Sequence, residues 1–344
     1  MILPDLPEDF EAAQRALEAA GHTDGLPVVP PTPARIRRML DAHGRAADDV
    51  VAVLPPLFGE ATWRALAANA VMAGCADEAL PVLAAAVDAL TAPEFNLLGI
   101  ATTTGSATPL VIVSGPVVQR LGMNADANTL GPGNRANATL GRALHLALQN
   151  IGGARPGEVD MSTLGQPGKF TFCCAELATA GPWPTLAQRR GYAADDDVVT
   201  VVGAAGIVEI VDSESTSPDD LARTYGASAL VAGSVGGAGF LGGGEPLFVM
   251  PPEHAQLFHD AGWSLADVQR TIHEHSGLPT ERLSSAVRAK LATRREQVDP
   301  GLVRTAASPD DILILITGGV GRKGAYVPTW GGTTRAVSRK VRDS

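Results

Sequence analysis

Three cysteines carry the most reactive side chains in the chain. Cys75 lies in Val71-Met72-Ala73-Gly74-Cys75-Ala76-Asp77, between two Ala-rich segments that predict helices over Glu60–Ala73 and Glu78–Ala89. A thiol beside a helix N-terminus has its thiolate favoured by free N–H groups and the dipole, which suits a nucleophile. Its other role is that of a small buried apolar side chain. Cys173 and Cys174 fall in Lys169-Phe170-Thr171-Phe172-Cys173-Cys174-Ala175-Glu176. Strand alternation puts those two thiols on opposite faces, and adjacent cysteines are poorly placed to bridge each other. Lys169 and Glu176 bracket the segment, so charge emerges at each end, and Cys173 and Glu176 join Cys75 as candidate catalytic groups.

The segment Gly131-Pro132-Gly133-Asn134-Arg135-Ala136-Asn137 runs from a tight turn into a helix expected over Asn134–Asn150. Exposed N–H groups at such a start attract an anion, and Arg135 adds a fork of donors. Gly133, Asn124, Asn128 and Asn137 are expected to add hydrogen bonds to a carboxylate or phosphate. There is no Gly-Lys-Ser/Thr, so this is not a nucleoside-triphosphate loop. Lys169 and Lys323 are further candidates for substrate binding, Lys323 from the glycine-rich Thr317–Gly324 segment after an apolar strand. His254, in Pro251-Pro252-Glu253-His254, falls in the first turn of a helix after strand Leu247–Met250. Ligands gather at such strand ends, so it is the histidine chosen for proton transfer. His145 sits mid-helix among leucines and ranks lower. Gly237–Gly242 matches the bare spacing of a dinucleotide loop, but a strand follows it instead of a helix. The loop from Gly233 to Glu245 reads as a close-approach segment or lid. No Cys-x-x-Cys, His-Glu-x-x-His or EF-hand spacing occurs, so no cofactor is expected, and a metal would need a site assembled from distant residues such as Cys75 and His254.

These residues need a frame. Helices are expected over Asp9–Ala20, Pro33–Ala42, Ser217–Tyr225, Pro252–Ala261, Ser264–His275 and Thr280–Leu291. Strands are expected at Val50–Leu54, Leu97–Thr103, Leu110–Val113, Lys169–Cys174, Val198–Val202, Ile207–Val211, Ala229–Ala232, Leu247–Met250 and Ile312–Ile316. Most are apolar throughout and not alternating, the mark of strands buried on both faces. The fold class is α/β, with buried, mostly parallel or mixed sheets flanked by helices in one body or two similar-sized lobes. The lobe boundary falls between 1–160 and 161–344. No repeat of fixed period is visible.

With 344 residues, 45% of them hydrophobic, the chain can bury a core without disulfides or metal. Its net charge of −10 leaves no basic stripe for nucleic acid. No segment approaches the ~20 apolar residues of a membrane span, and the acidic start lacks a basic signal region. Three cysteines without a disulfide framework point to the cytoplasm.

Several stretches act as a set: TDGLPVVPPT at Thr23–Thr32, NAVMAGC ending at Cys75, GPGNRANATLGR at Gly131–Arg142, NIGGARPGEVD at Asn150–Asp160, Gly165–Glu176, PEHA at Pro252–Ala255 and the terminal VPTWG. Together they span most of the chain and resemble a bacterial family grouped under the UGSC name, a cysteine or selenocysteine family. This chain has Ala73-Gly74-Cys75 where that motif would be Cys/Sec-Gly-Ser-Cys. The resemblance therefore implies at most a thiol-based role and no particular activity. The expected function is a small-molecule lyase, hydrolase or isomerase acting on an anionic metabolite with a cysteine at its site, in a homo-oligomer. The alternatives are a thiol redox protein, a metal-dependent enzyme and a non-catalytic subunit.

Overall fold

In a computed structural model, which describes residues 6–178, 181–230, 244–292, 301–331 and 334–342, local signals place most of the elements. Helices α1 (Phe10–Ala19) and α2 (Pro33–Asp41) start at Asp9 and Thr32, whose side chains accept from Ala12 N and Arg35 N. A hairpin of β1 (Val50–Leu54) and β2 (Gly59–Thr62) follows. Next come α3 (Trp63–Ala73), α4 (Leu80–Leu90) and α5 (Leu97–Thr102). The central run is β3 (Thr108–Ser114), α6 (Val117–Arg120), α7 (Arg135–Asn150), β4 (Cys173–Ala175), α8 (Leu186–Arg189), β5 (Val198–Ala204) and β6 (Val208–Val211). The last run is α9 (Pro218–Ser228), β7 (Leu247–Met250), α10 (Pro252–Asp260), α11 (Leu265–His275), β8 (Gly277–Pro279), α12 (Ser285–Ala292), β9 (Leu302–Arg304), β10 (Leu313–Ile316), β11 (Lys323–Val327) and β12 (Val337–Lys340).

Two four-stranded mixed sheets dominate. The first has the order β12-β5-β3-β4 and the second β10-β7-β11-β6. In each, one parallel pair (β3 with β4, β7 with β10) is extended by two antiparallel strands. The fold is α/β, as the apolar strand runs predicted. Each sheet receives its outer antiparallel strand from the other run: β6 follows β5 but joins the second sheet, and β12 follows β11 but joins the first. The exchange is tied at one place, where Ala205 N donates to Pro328 O and Trp330 N donates to Gly203 O. The chain thus repeats a topology without repeating a sequence period.

Side-chain alternation sorts the core into layers. Val111, Val113, Cys173 and Val199 face α3, α4 and α7. Leu110, Ile112, Cys174 and Val202 face Leu247, Val249, Leu313 and Leu315 of the other sheet. Phe248, Met250, Ile314 and Tyr326 turn outward onto α9, α10 and α11. The order is helices, sheet, sheet, helices.

Several sequence-based boundaries are corrected. The apolar segment Leu97–Thr102 is a helix, not a strand. Asn96 caps it by accepting from Gly99 N, and Leu97, Ile100 and Ala101 bury one face at helical spacing. Residues Gly59–Thr62 form β2, so α3 starts at Trp63, where the Thr62 side chain accepts from Ala65 N. Of the expected Lys169–Cys174 strand only Cys173 and Cys174 are extended, in β4, because Pro167–Lys169 closes a 3-10 turn. The expected helix Thr280–Leu291 begins as a 3-10 turn, and α12 starts at Ser285. Ala229 ends α9 instead of opening a strand. Residues 231–243, which hold most of the predicted lid, lie outside the described residues. No helix among the described residues is by itself long and apolar enough to cross a membrane.

Candidate functional site

Helix α7 organises the candidate residues. Gly141 at its middle permits close approach to β4: a Cβ there would lie 2.5 Å from Thr171 Oγ1 and 2.9 Å from Phe172 N. One end of α7 meets the cysteines and the other meets a polar cavity.

At the N-terminal end, Asn134 caps the helix by accepting from Asn137 N. Arg135 donates from Nε to Gly74 O at 2.9 Å, directly beside Cys75. Gly74 takes the left-handed conformation that ends α3, and this turns Cys75 inward. The Cys75 Sγ–H then meets Thr139 O at 3.3 Å. Cys75 and Cys173 share one apolar cluster. Burial pushes Cys75 up to about 11 against the pull of Arg135, so it stands as a thiol at neutral pH. Burial outweighs the helix-end effect expected from the sequence, because the thiolate would lose its water. Cys173 is pushed well above the ordinary thiol value by burial, with Cys174 and Cys75 adding to it. Burial takes Cys174 to about 12, with Glu176 adding to it.

The asparagines spend their amides on the loop itself. Asn137 is buried, accepts from Asn124 N and donates to Asn124 O and Thr129 O. Asn124 donates to Ala127 O, and Asn128 donates to Pro132 O. Gly133, at φ +113°, makes the turn possible. These residues hold the shape of the loop, and Arg135 itself is exposed.

Glu176 is buried directly after β4. Its carboxylate accepts from Ser114 Oγ at 2.6 Å and Leu186 N at 2.5 Å. His254 and Lys323 belong to the second sheet. The His254 ring is fully buried, with Nε2 3.0 Å from Asp212 O and Nδ1 2.9 Å from Tyr225 Oη. A carbonyl only accepts, so Nε2 carries the hydrogen and Tyr225 donates to Nδ1. Burial lowers this imidazole below its ordinary value. Lys323 donates to Ser213 Oγ at 3.0 Å. Cys75 and His254 sit in different helix layers, so the structure does not bring that pair together.

Lys169 lies at the other end of α7. It pairs with Asp160 at 2.5 Å, and both line a cavity of about 90 Å³. His145, Thr108, Asp24 and Gln149 line the same space, with Leu97, Ile100 and Leu148 as its apolar wall. His145 Nδ1 is 2.8 Å from Gly141 O, and Nε2 is 2.8 Å from Thr108 Oγ1. The carbonyl fixes the hydrogen on Nδ1, so the Thr108 hydroxyl donates to Nε2. Burial pushes His145 down to about 4, leaving it neutral at pH 7. Asp24 is held by Arg142 through two 2.7 Å hydrogen bonds.

This hydroxyl–imidazole–carbonyl line was not legible in the sequence. Thr108 and His145 are 37 residues apart, and no spacing rule links a strand start to a helix middle. Among the described residues, no cluster of three or more His, Cys, Asp or Glu side chains is arranged to hold a metal ion. Comparison with family models, curated proteins and solved structures finds no match for this chain.

Proposed function

We propose that this chain is a small-molecule hydrolase that removes a short acyl group from an anionic metabolite, with Thr108 as nucleophile. The observation that carries this reading is the Thr108 Oγ1 to His145 Nε2 hydrogen bond of 2.8 Å, on the wall of a cavity that Lys169 also lines. A hydroxyl becomes a nucleophile when a base within hydrogen-bond reach takes its proton and a third group orients that base. Gly141 O is the orienting group here. Thr108 Oγ attacks the acyl carbon, and its proton passes to His145 Nε2. The bond to the leaving group breaks, and the imidazolium returns the proton to it. Water then cleaves the acyl-threonine by the same route. Lys169 holds the substrate's anionic group, which shares the ammonium with Asp160. The cavity is smaller than the ~150 Å³ that accepts benzene, so it fits an acyl end of roughly three or four heavy atoms.

The test uses p-nitrophenyl acetate with the full chain. A burst of nitrophenolate and an acetyl adduct on the Thr108 peptide are expected. Thr108→Ser keeps both, whereas Thr108→Val and His145→Gln lose them while remaining folded by circular dichroism. An adduct that persists in Thr108→Val overturns the reading. A second reading rests on the Arg135 contact to Gly74, which leaves a cation's free nitrogens next to the Cys75 thiol. An adduct on Cys75 would select that thiol-dependent site. The three unpaired, buried cysteines support a reducing cytoplasm as its place.

A further inference from the structure

A separate cleft lies between α4 and the β1–β2 hairpin, closed at one end by the chain beyond β12. Its volume is about 330 Å³, within the range of ligand pockets. Its cationic rim is Arg45, Lys340 and Arg342, with Asp88 the only acidic residue among those lining it. The cleft therefore carries an excess of two positive charges in a chain whose net charge is −10. Lys340 is paired with Asp196 and Asp88 with Arg339, so both of those charges are partly answered. The Arg342 side chain has no ion-pair partner among the described residues.

Arg45 gives the second observation. Its guanidinium lies 4.7 Å from the centroid of the Trp63 ring, and one terminal nitrogen donates to Arg342 O at 3.0 Å. Its Nε is buried and has no hydrogen-bond partner among the described residues. Buried donors are almost always satisfied, and this one finds no acceptor among the described residues. The rest of the wall is apolar, with Val51, Pro81 and Ala85 beside Trp63.

We propose that this cleft binds a small organic anion with one anionic head and a compact apolar or aromatic body. The head pairs with the Arg45 guanidinium, with Arg342 beside it. The body rests on Trp63 and the aliphatic wall. Asp88 selects against extended polyanions, because the excess of two positive charges answers one or two negative ones.

Benzoate and phenyl phosphate, titrated into the full chain by calorimetry, are expected to bind saturably, one per chain. Inorganic phosphate, which lacks the apolar body, should bind at least about tenfold more weakly. Arg45→Gln and Arg342→Gln should each weaken phenyl phosphate by about tenfold, and added salt should weaken the wild type. Thr108→Val should leave the affinity unchanged, since it belongs to the α7 cavity. Absence of saturable binding by both aryl anions overturns the proposal, as does equal affinity in both arginine variants. Inorganic phosphate binding as tightly as phenyl phosphate overturns the apolar part of the site. If Arg45→Gln does not fold, Arg342→Gln decides the matter, because its side chain is exposed.

Discussion

The two sheet–helix halves present one histidine each in nearly the same hydrogen-bonding state but in different surroundings. His145 and His254 each give one N–H to a carbonyl and each accept from a hydroxyl, Thr108 in one case and Tyr225 in the other. Both imidazoles are lowered by burial. The surroundings of the hydroxyl differ. Tyr225 is wedged between α9 and the second sheet, and a Cβ on Gly324 would lie 2.3 Å from its oxygen. Thr108 borders a cavity with charged walls. The same three-group line is a packing device where space is full and, in the function we propose, a reaction centre where space is open. Perturbed ionisation alone does not distinguish the two; the void beside the hydroxyl does.

The largest effect that would sharpen this contrast comes from His254→Ala. It opens a hole and strands the Tyr225 hydroxyl and the Asp212 carbonyl, so denaturant melts should show a loss of about 3–5 kcal/mol. A loss under about 1 kcal/mol would remove the packing role. Next is the response to pH. His145 binds its proton near pH 4 when folded and near 6.5 when unfolded. Between those values the unfolded chain holds more protons, so stability falls as pH drops from about 6.5 to about 4. His145 should contribute on the order of 3 kcal/mol to that loss. His145→Gln should flatten the decline, while the part due to His254, which is shifted in the same direction, remains. An unchanged slope in the variant would break the assignment. The smallest effect is Thr108→Val, which should cost about 1 kcal/mol because the His145 acceptor loses its donor next to a cavity. Thr108→Ser should melt close to the wild type.

Much of the frame was legible from residue order. Thr32 followed by Pro33, and the apolar runs at Leu110–Val113 and Val198–Val202, carry their own local signals. Leu97–Thr102 misled because a short apolar run has no readable period, and the deciding feature was the Asn96 cap. The thiols were legible as chemical groups, but their protonation was not, since burial is set by what packs over them. The asparagines of 124–137 were legible as hydrogen-bonding residues; that their partners are each other's backbone depends on the loop's closure.

Composition, apolar patterning and capping residues settled the α/β class, the placement of most helices and strands, and the opposite facing of Cys173 and Cys174. Each of these follows from interactions within a few residues, which linear order preserves. The exchange of β6 and β12 between sheets, the pairing of Thr108 with His145, the separation of His254 from Cys75 and the orphan Nε of Arg45 arose only when distant segments met. Hydrogen bonds, desolvation and cavities depend on distances in space, and residue order does not encode those distances locally.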